Sequence, residues 1–270
     1  MIARNLIGIA RSILGSMGLA LVRKSDADAL RAAKIEASQS SLFIEFIESL
    51  PSESVGDLLR YRTQSKAQLH QDLFVLAELG LTHGGFFVEF GATNGVDLSN
   101  SHLLETEFGW QGILAEPGRR WHQALEANRS ALIEHDCVWR RSGEKVTFME
   151  SAQGEYSTID SFVDSDSHSE ERKIGNRYEV NTVSLRDLLR RNNAPKKIDY
   201  LSIDTEGSEY EIVRDFDFGE YEISIITIEH NFGENREKVF DLLSKNGFTR
   251  KMEKFSRFDD WFVRNYDIKN

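Results

Sequence analysis

Gly85-Phe86-Phe87-Val88-Glu89-Phe90-Gly91-Ala92-Thr93-Asn94-Gly95 is the stretch on which the fold turns. A short, nearly continuous apolar run closing on glycine is the pattern of a strand buried on both faces of a parallel sheet. The run ends as E-x-G-x-x-x-G, which is not the G-x-G-x-x-G dinucleotide fingerprint, and Glu89 would repel a pyrophosphate. A nicotinamide oxidoreductase is therefore disfavoured. Gly91 and Gly95 permit a tight turn and close backbone approach to a ligand.

Downstream the pattern alternates. The spacing predicts a helix over 99–108, a strand over 112–116, a helix over 119–129 and a weaker strand over 132–139. An irregular middle separates these from a helix at 184–192, a strand at 198–204, a helix at 208–215, a strand at 223–229 and a helix at 234–246. Gly247 is placed to close that last helix, and 248–255 with 258–263 reads as an antiparallel pair. Upstream, 26–50 and 68–79 read as helices. The whole is an α/β architecture with helices on both faces of the sheet and an N-terminal helical extension. Ligands in such sheets sit beyond the carboxyl ends of the strands.

Composition narrows the function. The 270 residues carry 33 Lys and Arg against 44 Asp and Glu, a net charge of −11, which disfavours nucleic acid as a partner. One cysteine, Cys137, and seven scattered histidines exclude a disulfide framework and argue against a closed zinc site. Residues 1–24 hold Arg4, Arg11, Arg23 and Lys24 and no acid, while Ile2, Leu6, Ile9, Ile13, Met17 and Leu21 make one apolar helical face. That segment reads as a basic amphipathic helix for an anionic membrane surface. A helix packed on the protein's own body and a secretory signal are the alternatives. The expected organisation is 1–24, a helical extension or linker over 25–66, and the main domain over 67–270, cytoplasmic and at the inner face of the membrane. The helix at 26–50, with its greasy end, is a candidate dimer contact.

Glu116 stands at a strand tip 25 residues after Gly91 and suits a ribose diol, which a carboxylate can accept from twice. A solvated loop acid or a helix N-cap neighbour is the plain alternative. Asp136 and Cys137 fall in the third strand, where an adenine edge would be met. Asn100 is placed to touch cofactor or acceptor, and Gln71 and Asp72 to fold over the cofactor's amino-acid end. At the other end of the sheet, Asp204 and Glu206 are followed 26 residues after Asp204 by His230, on the adjacent strand. His230 is expected as general base with Asp204 as its partner and Glu206 beside them. Helix capping by Asp204 and Glu206 is the plain alternative. Asp204, Glu229 and His230 also make a candidate set for Mg²⁺ or Mn²⁺, although adjacent strand residues point to opposite faces. Between Glu150 and Glu171 lie seven acids and no Lys or Arg. That segment reads as an acceptor lid presenting Tyr156, Ser157 and Thr158, or as a solvated loop.

Several ordered blocks carry a family resemblance. Gln71-Asp72-Leu73-Phe74-Val75, Phe87 through Gly95, Leu98-Ser99-Asn100-Ser101, Gly109-Trp110-Gln111-Gly112, Ala115-Glu116-Pro117 and Asp199 through Glu209 resemble the FkbM family of S-adenosylmethionine-dependent methyltransferases. The likeness spans about Ala67 to Phe218, and weakly to Val263. Ala92-Thr93-Asn94 departs from the family's more usual Ala-Asn-Asp-Gly. The resemblance implies a class I methyltransferase (Rossmann-like) fold, a seven-stranded, mostly parallel sheet with the last strand antiparallel. It implies S-adenosylmethionine as cofactor, with Glu89, Gly91, Ala92, Asn94 and Gly95 around its methionine part, and Glu116 with Pro117 at the ribose. The expected reaction is O-methylation of a carbohydrate hydroxyl on a glycan or lipid-linked sugar. A small natural-product hydroxyl is the second acceptor class, and a non-catalytic module binding the cofactor or a partner protein is the rival reading.

Overall fold

The computed structural model describes residues 40–50, 52–164 and 168–265. The helix expected at 1–24, and most of the one at 26–50, lie outside the described residues; 40–49 is helical. Contacts divide the chain into two units, Met1–Ser49 and Leu50–Asn270, and the second holds both sheets. Among the described residues no helix is long and apolar enough to cross a membrane.

In chain order the second unit begins α1 (Ser52–Tyr61), α2 (Gln71–Glu78), β1 (Phe86–Phe90), α3 (His102–Phe108), β2 (Gln111–Ala115), α4 (His122–Asn128) and β3 (Leu132–Glu134). Four strands outside the main alternation come next: β4 (Cys137–Trp139), β5 (Lys145–Ser151), β6 (Thr158–Ile159) and β7 (Gly175–Ser184). Then come α5 (Leu185–Arg191), β8 (Lys197–Ile203), α6 (Glu209–Val213), β9 (Glu222–Glu229), α7 (Arg236–Lys245), β10 (Phe248–Lys251), α8 (Glu253–Ser256) and β11 (Asp259–Arg264).

The large sheet has seven strands in the order β10-β11-β9-β8-β1-β2-β3. β1 pairs in parallel with both β2 and β8, β2 with β3, and β8 with β9. β11 is antiparallel to both of its neighbours, β9 and β10. Every residue of β8 and β9 after the first is buried, because helices cover both faces. Val88, Phe90, Ile113, Leu201 and Ile226 of the sheet join Leu185 and Leu188 of α5 and Ile212 of α6 in one core. The strand order reverses between β1 and β8, which is where such a sheet opens a crevice for ligand. Gly247, in left-handed backbone, closes α7 as expected, its N–H donating to Ser244 O.

Two expectations change. The strand expected over 132–139 is two strands in different sheets: Asp136 N–H donates to the Glu134 side chain, the chain turns there, and β4 pairs with β7 instead. The irregular middle is largely a four-stranded sheet, β4-β7-β5-β6. Its small core gathers Cys137, Trp139, Phe148, Ile159 and Val180. Its two long strands, β5 and β7, leave more than half their residues at least partly exposed, so polar residues dilute the apolar alternation that would have announced them.

Candidate active site

A cavity of about 410 Å³ opens at the carboxyl ends of β1, β2, β8 and β9. Glu89, Gly91, Glu116, Asp204 and Glu229 come to it from the large sheet, and Val138, Phe148 and Ile159 wall it from the small one. Seven carboxylate side chains line it and, among the described residues, no Lys or Arg does.

The glycine turn is set by close packing. A Cβ on Gly91 would sit 2.0 Å from the Asp204 carbonyl oxygen, and one on Gly95 2.6 Å from Arg129 Cγ; both glycines have φ near 80°. Asn94 Oδ1 accepts from the N–H groups of Val96 and Asp97, both at 2.9 Å, folding the loop between them. Ala92, Asn94 and Gly95 shape this turn without lining the cavity. Thr93 does line it, in a left-handed conformation (φ 45°) costly for a β-branched residue.

Glu89 is fully engaged. Oε1 accepts from Asn100 N–H (2.8 Å), and Oε2 from the hydroxyls of Ser99 (3.0 Å) and Ser101. The buried Arg129 guanidinium lies 3.9 Å away and ties Gly95 O, Ser101 and Glu105 together. Asn100 donates to Ser202 Oγ (3.0 Å), while its Oδ1 is buried without a partner at the cavity wall. Glu116 accepts from Thr93 N–H (2.9 Å) and Gly118 N–H (2.6 Å). Burial pushes it up to about 7, against the pull of those two bonds. Each oxygen retains a further lone pair for a diol.

Pro117 and Cys137 line the cavity. Burial pushes the Cys137 thiol up to about 12, which makes it wall and not nucleophile. Asp136, expected beside it, faces away and pairs with Arg191 (3.1 Å), since successive residues of an extended chain alternate sides. Gln71 and Asp72 do not reach the cavity either. Gln71 donates to Asp259 (2.7 Å), and Asp72 Oδ1 accepts from Ser65 Oγ (2.7 Å) and Leu73 N–H (2.8 Å), both inside the packing of α2.

At the tips of β8 and β9, Asp204, Glu206 and Glu229 bring carboxylate oxygens within 4.8 Å of one another. Burial, then the negative charge of Glu209, pushes Asp204 up to about 7. Burial and the charge of Asp204 hold Glu229 well above the usual carboxylate range. The turn between β8 and α6 is tied by Glu209, which accepts from the N–H groups of Thr205 (3.0 Å) and Gly207 (2.9 Å). Glu206 is left-handed there (φ 59°), and its carbonyl accepts from Thr158 Oγ1 (2.8 Å). Its carboxylate meets Arg172 Nη2 at 2.6 Å and Asn231 Nδ2 at 3.3 Å.

His230 is not in this group. It follows Glu229 and turns to the opposite side, lining a neighbouring cavity of about 360 Å³. There Nδ1 accepts from Phe232 N–H (2.9 Å) and Nε2 lies 3.8 Å from Asp260. The expected His230–Asp204 pair is not formed, and in the expected metal set Glu206 stands where His230 was placed.

Of the acidic segment, Tyr156 and Ser157 line the cavity, whereas Thr158 is buried behind it. Tyr156 stacks on His168 (4.3 Å, 16°), another lining residue. The sequence assigned no functional role to His168, which has no supporting pattern around it, nor to Thr93, Asn231 and Arg172. Only Arg172 left a signal, as the first Lys or Arg after seven acids. The family model of the methyltransferase FkbM domain matches residues 89–267. No curated protein matches the chain.

Proposed function

The chain belongs to the FkbM methyltransferase family, and from that membership we propose that it transfers a methyl group to a hydroxyl of a carbohydrate. It is an S-adenosylmethionine-dependent methyltransferase with a class I α/β fold. When bound, that cofactor supplies a methyl group on a positively charged sulfonium, so the leaving group is already built in. The residues present fit it: Glu116 has acceptor capacity for the ribose diol, and Val138, Phe148 and Cys137 form an apolar wall for the base. Asn100 Oδ1, buried and unpartnered, offers a further acceptor.

The observation that carries the acceptor class is the charge of the cavity wall: seven carboxylates and, among the described residues, no Lys or Arg. Such a wall favours a cationic donor, repels an anionic acceptor, and offers acceptors for the hydrogens of a polyol. Asp204 and Glu229 lie at the strand tips beside the Gly91 turn, where the acceptor hydroxyl donates its hydrogen to a carboxylate as the new C–O bond forms. The Tyr156–His168 stack gives the wall a flat aromatic face against which the C–H side of a sugar ring packs.

Incubating the protein with methyl-labelled cofactor and a panel of sugars, glycans and lipid-linked sugars tests this. Label should appear on a hydroxyl oxygen of one class of polyol. Transfer only to a non-carbohydrate hydroxyl, or uptake of cofactor without any turnover, would sink it.

A further inference from the structure

The geometry points to a site for one hard divalent cation held by Asp204, Glu206 and Glu229. Its role rests on the methyl transfer to a hydroxyl proposed for the same cavity. The three carboxylates each bring an oxygen to within 4.8 Å of the others. Mg²⁺, Mn²⁺ and Ca²⁺ hold oxygens at about 2.0–2.6 Å, so two ligands of one such ion lie at most about 5 Å apart. The spacing fits one ion.

The charges fit as well. The Arg172 guanidinium, 2.6 Å from Glu206, offsets one of the three negative charges. With Asp204 and Glu229 both ionised, as a bound cation would require, two remain, and among the described residues no Lys or Arg lines the cavity to meet them. An independent observation marks where the counter-charge belongs. Glu229 is only 8 % exposed, and its Oε2 is buried with no hydrogen-bond partner. A carboxylate oxygen is not withdrawn from water without a partner unless it is protonated or meets a cation. An all-oxygen set favours a hard ion over zinc. At this position the ion would hold the acceptor oxygen and make its hydroxyl more acidic, and the proton released would pass to a carboxylate of the same cavity.

The test uses the full chain without donor or acceptor. Mn²⁺ titrated into the protein, followed by loss of the free-ion electron paramagnetic resonance signal and by calorimetry, should fill one site per chain that Mg²⁺ competes for. Glu229→Gln should weaken uptake at least about tenfold while the protein still unfolds cooperatively. Asp204→Asn carries the comparison if that variant does not fold. No Mn²⁺ uptake by the folded parent, or uptake undiminished in the folded variant, overturns the site. Uptake of Mn²⁺ together with failure to methylate any hydroxyl keeps the site and removes the reaction reading. Methyl transfer unaffected by EDTA, with no Mn²⁺ uptake, does the reverse.

Discussion

Glu89 and Glu229 are both buried glutamates near the carboxyl ends of strands in one sheet, and both line one cavity. Around Glu89 every oxygen is met: two serine hydroxyls, a backbone N–H and a nearby guanidinium hold it. Around Glu229 the neighbours are acids, and one oxygen has no partner. A satisfied buried carboxylate keeps a loop in place, whereas a crowded, unsatisfied one raises the energy of the empty protein. Such groups collect where a ligand or substrate supplies what is missing. The contrast thus separates the carboxylates that build the cavity from those proposed to act in it.

The largest expected effect lies on the acting side. Asp204→Asn should lower the rate of methyl transfer by about 10²–10⁴-fold while leaving the melting temperature unchanged or higher. A variant that kept its full rate would erase the distinction. On the building side the signs reverse: Glu89→Ala should cost about 3–5 kcal/mol of stability in urea unfolding, because it strands Ser99, Ser101 and the Asn100 N–H. A loss under about 1 kcal/mol would place Glu89 with the acting group instead.

Asp72 sharpens the comparison, since it is unsatisfied at Oδ2 yet lies outside the cavity lining. Burial pushes it up to about 7 in the folded chain, above its ordinary unfolded value. The folded state therefore holds the proton more tightly, and the parent loses stability as pH rises from about 4 to about 7. Asp72→Asn should melt higher than the parent by at least about 3 °C at pH 8, a gap that closes toward pH 4. A gap independent of pH would show that the ionised carboxyl is tolerated there. The smallest effect is expected for His230→Gln. Its ring faces the other cavity, so kcat should stay within about twofold of the parent.

Much of the fold was legible in the residues. Gly85–Gly91 read as a buried parallel strand because burial on both faces leaves a contiguous apolar run, Ile198–Asp204 read as a strand, and the glycine turn with Glu116 pointed to the end of the sheet at which the cavity opens. The small sheet was not legible, since Lys145–Ser151 and Gly175–Ser184 leave more than half their residues at least partly exposed and mix charges into the alternation. The acid tips Asp204, Glu206 and Glu229 were found as a neighbourhood. Which of Glu229 and His230 entered the cavity was not, and neither was which of Asp136 and Cys137 did.

The sequence by itself determined the strand–helix alternation of the large sheet, the glycine turn, the carboxylate at the tip of β2 and the surplus of acid at the strand tips. Those are local matters of periodicity, backbone freedom and charge along the chain. Only the tertiary structure decided which side of a tip each side chain faces. It alone brought Arg172, 34 residues before Glu206, to that carboxylate, and left Glu229 Oε2 without a donor. Facing and pairing at a strand end depend on register and on contacts from elsewhere in the chain, and a one-residue step there reverses the side entirely.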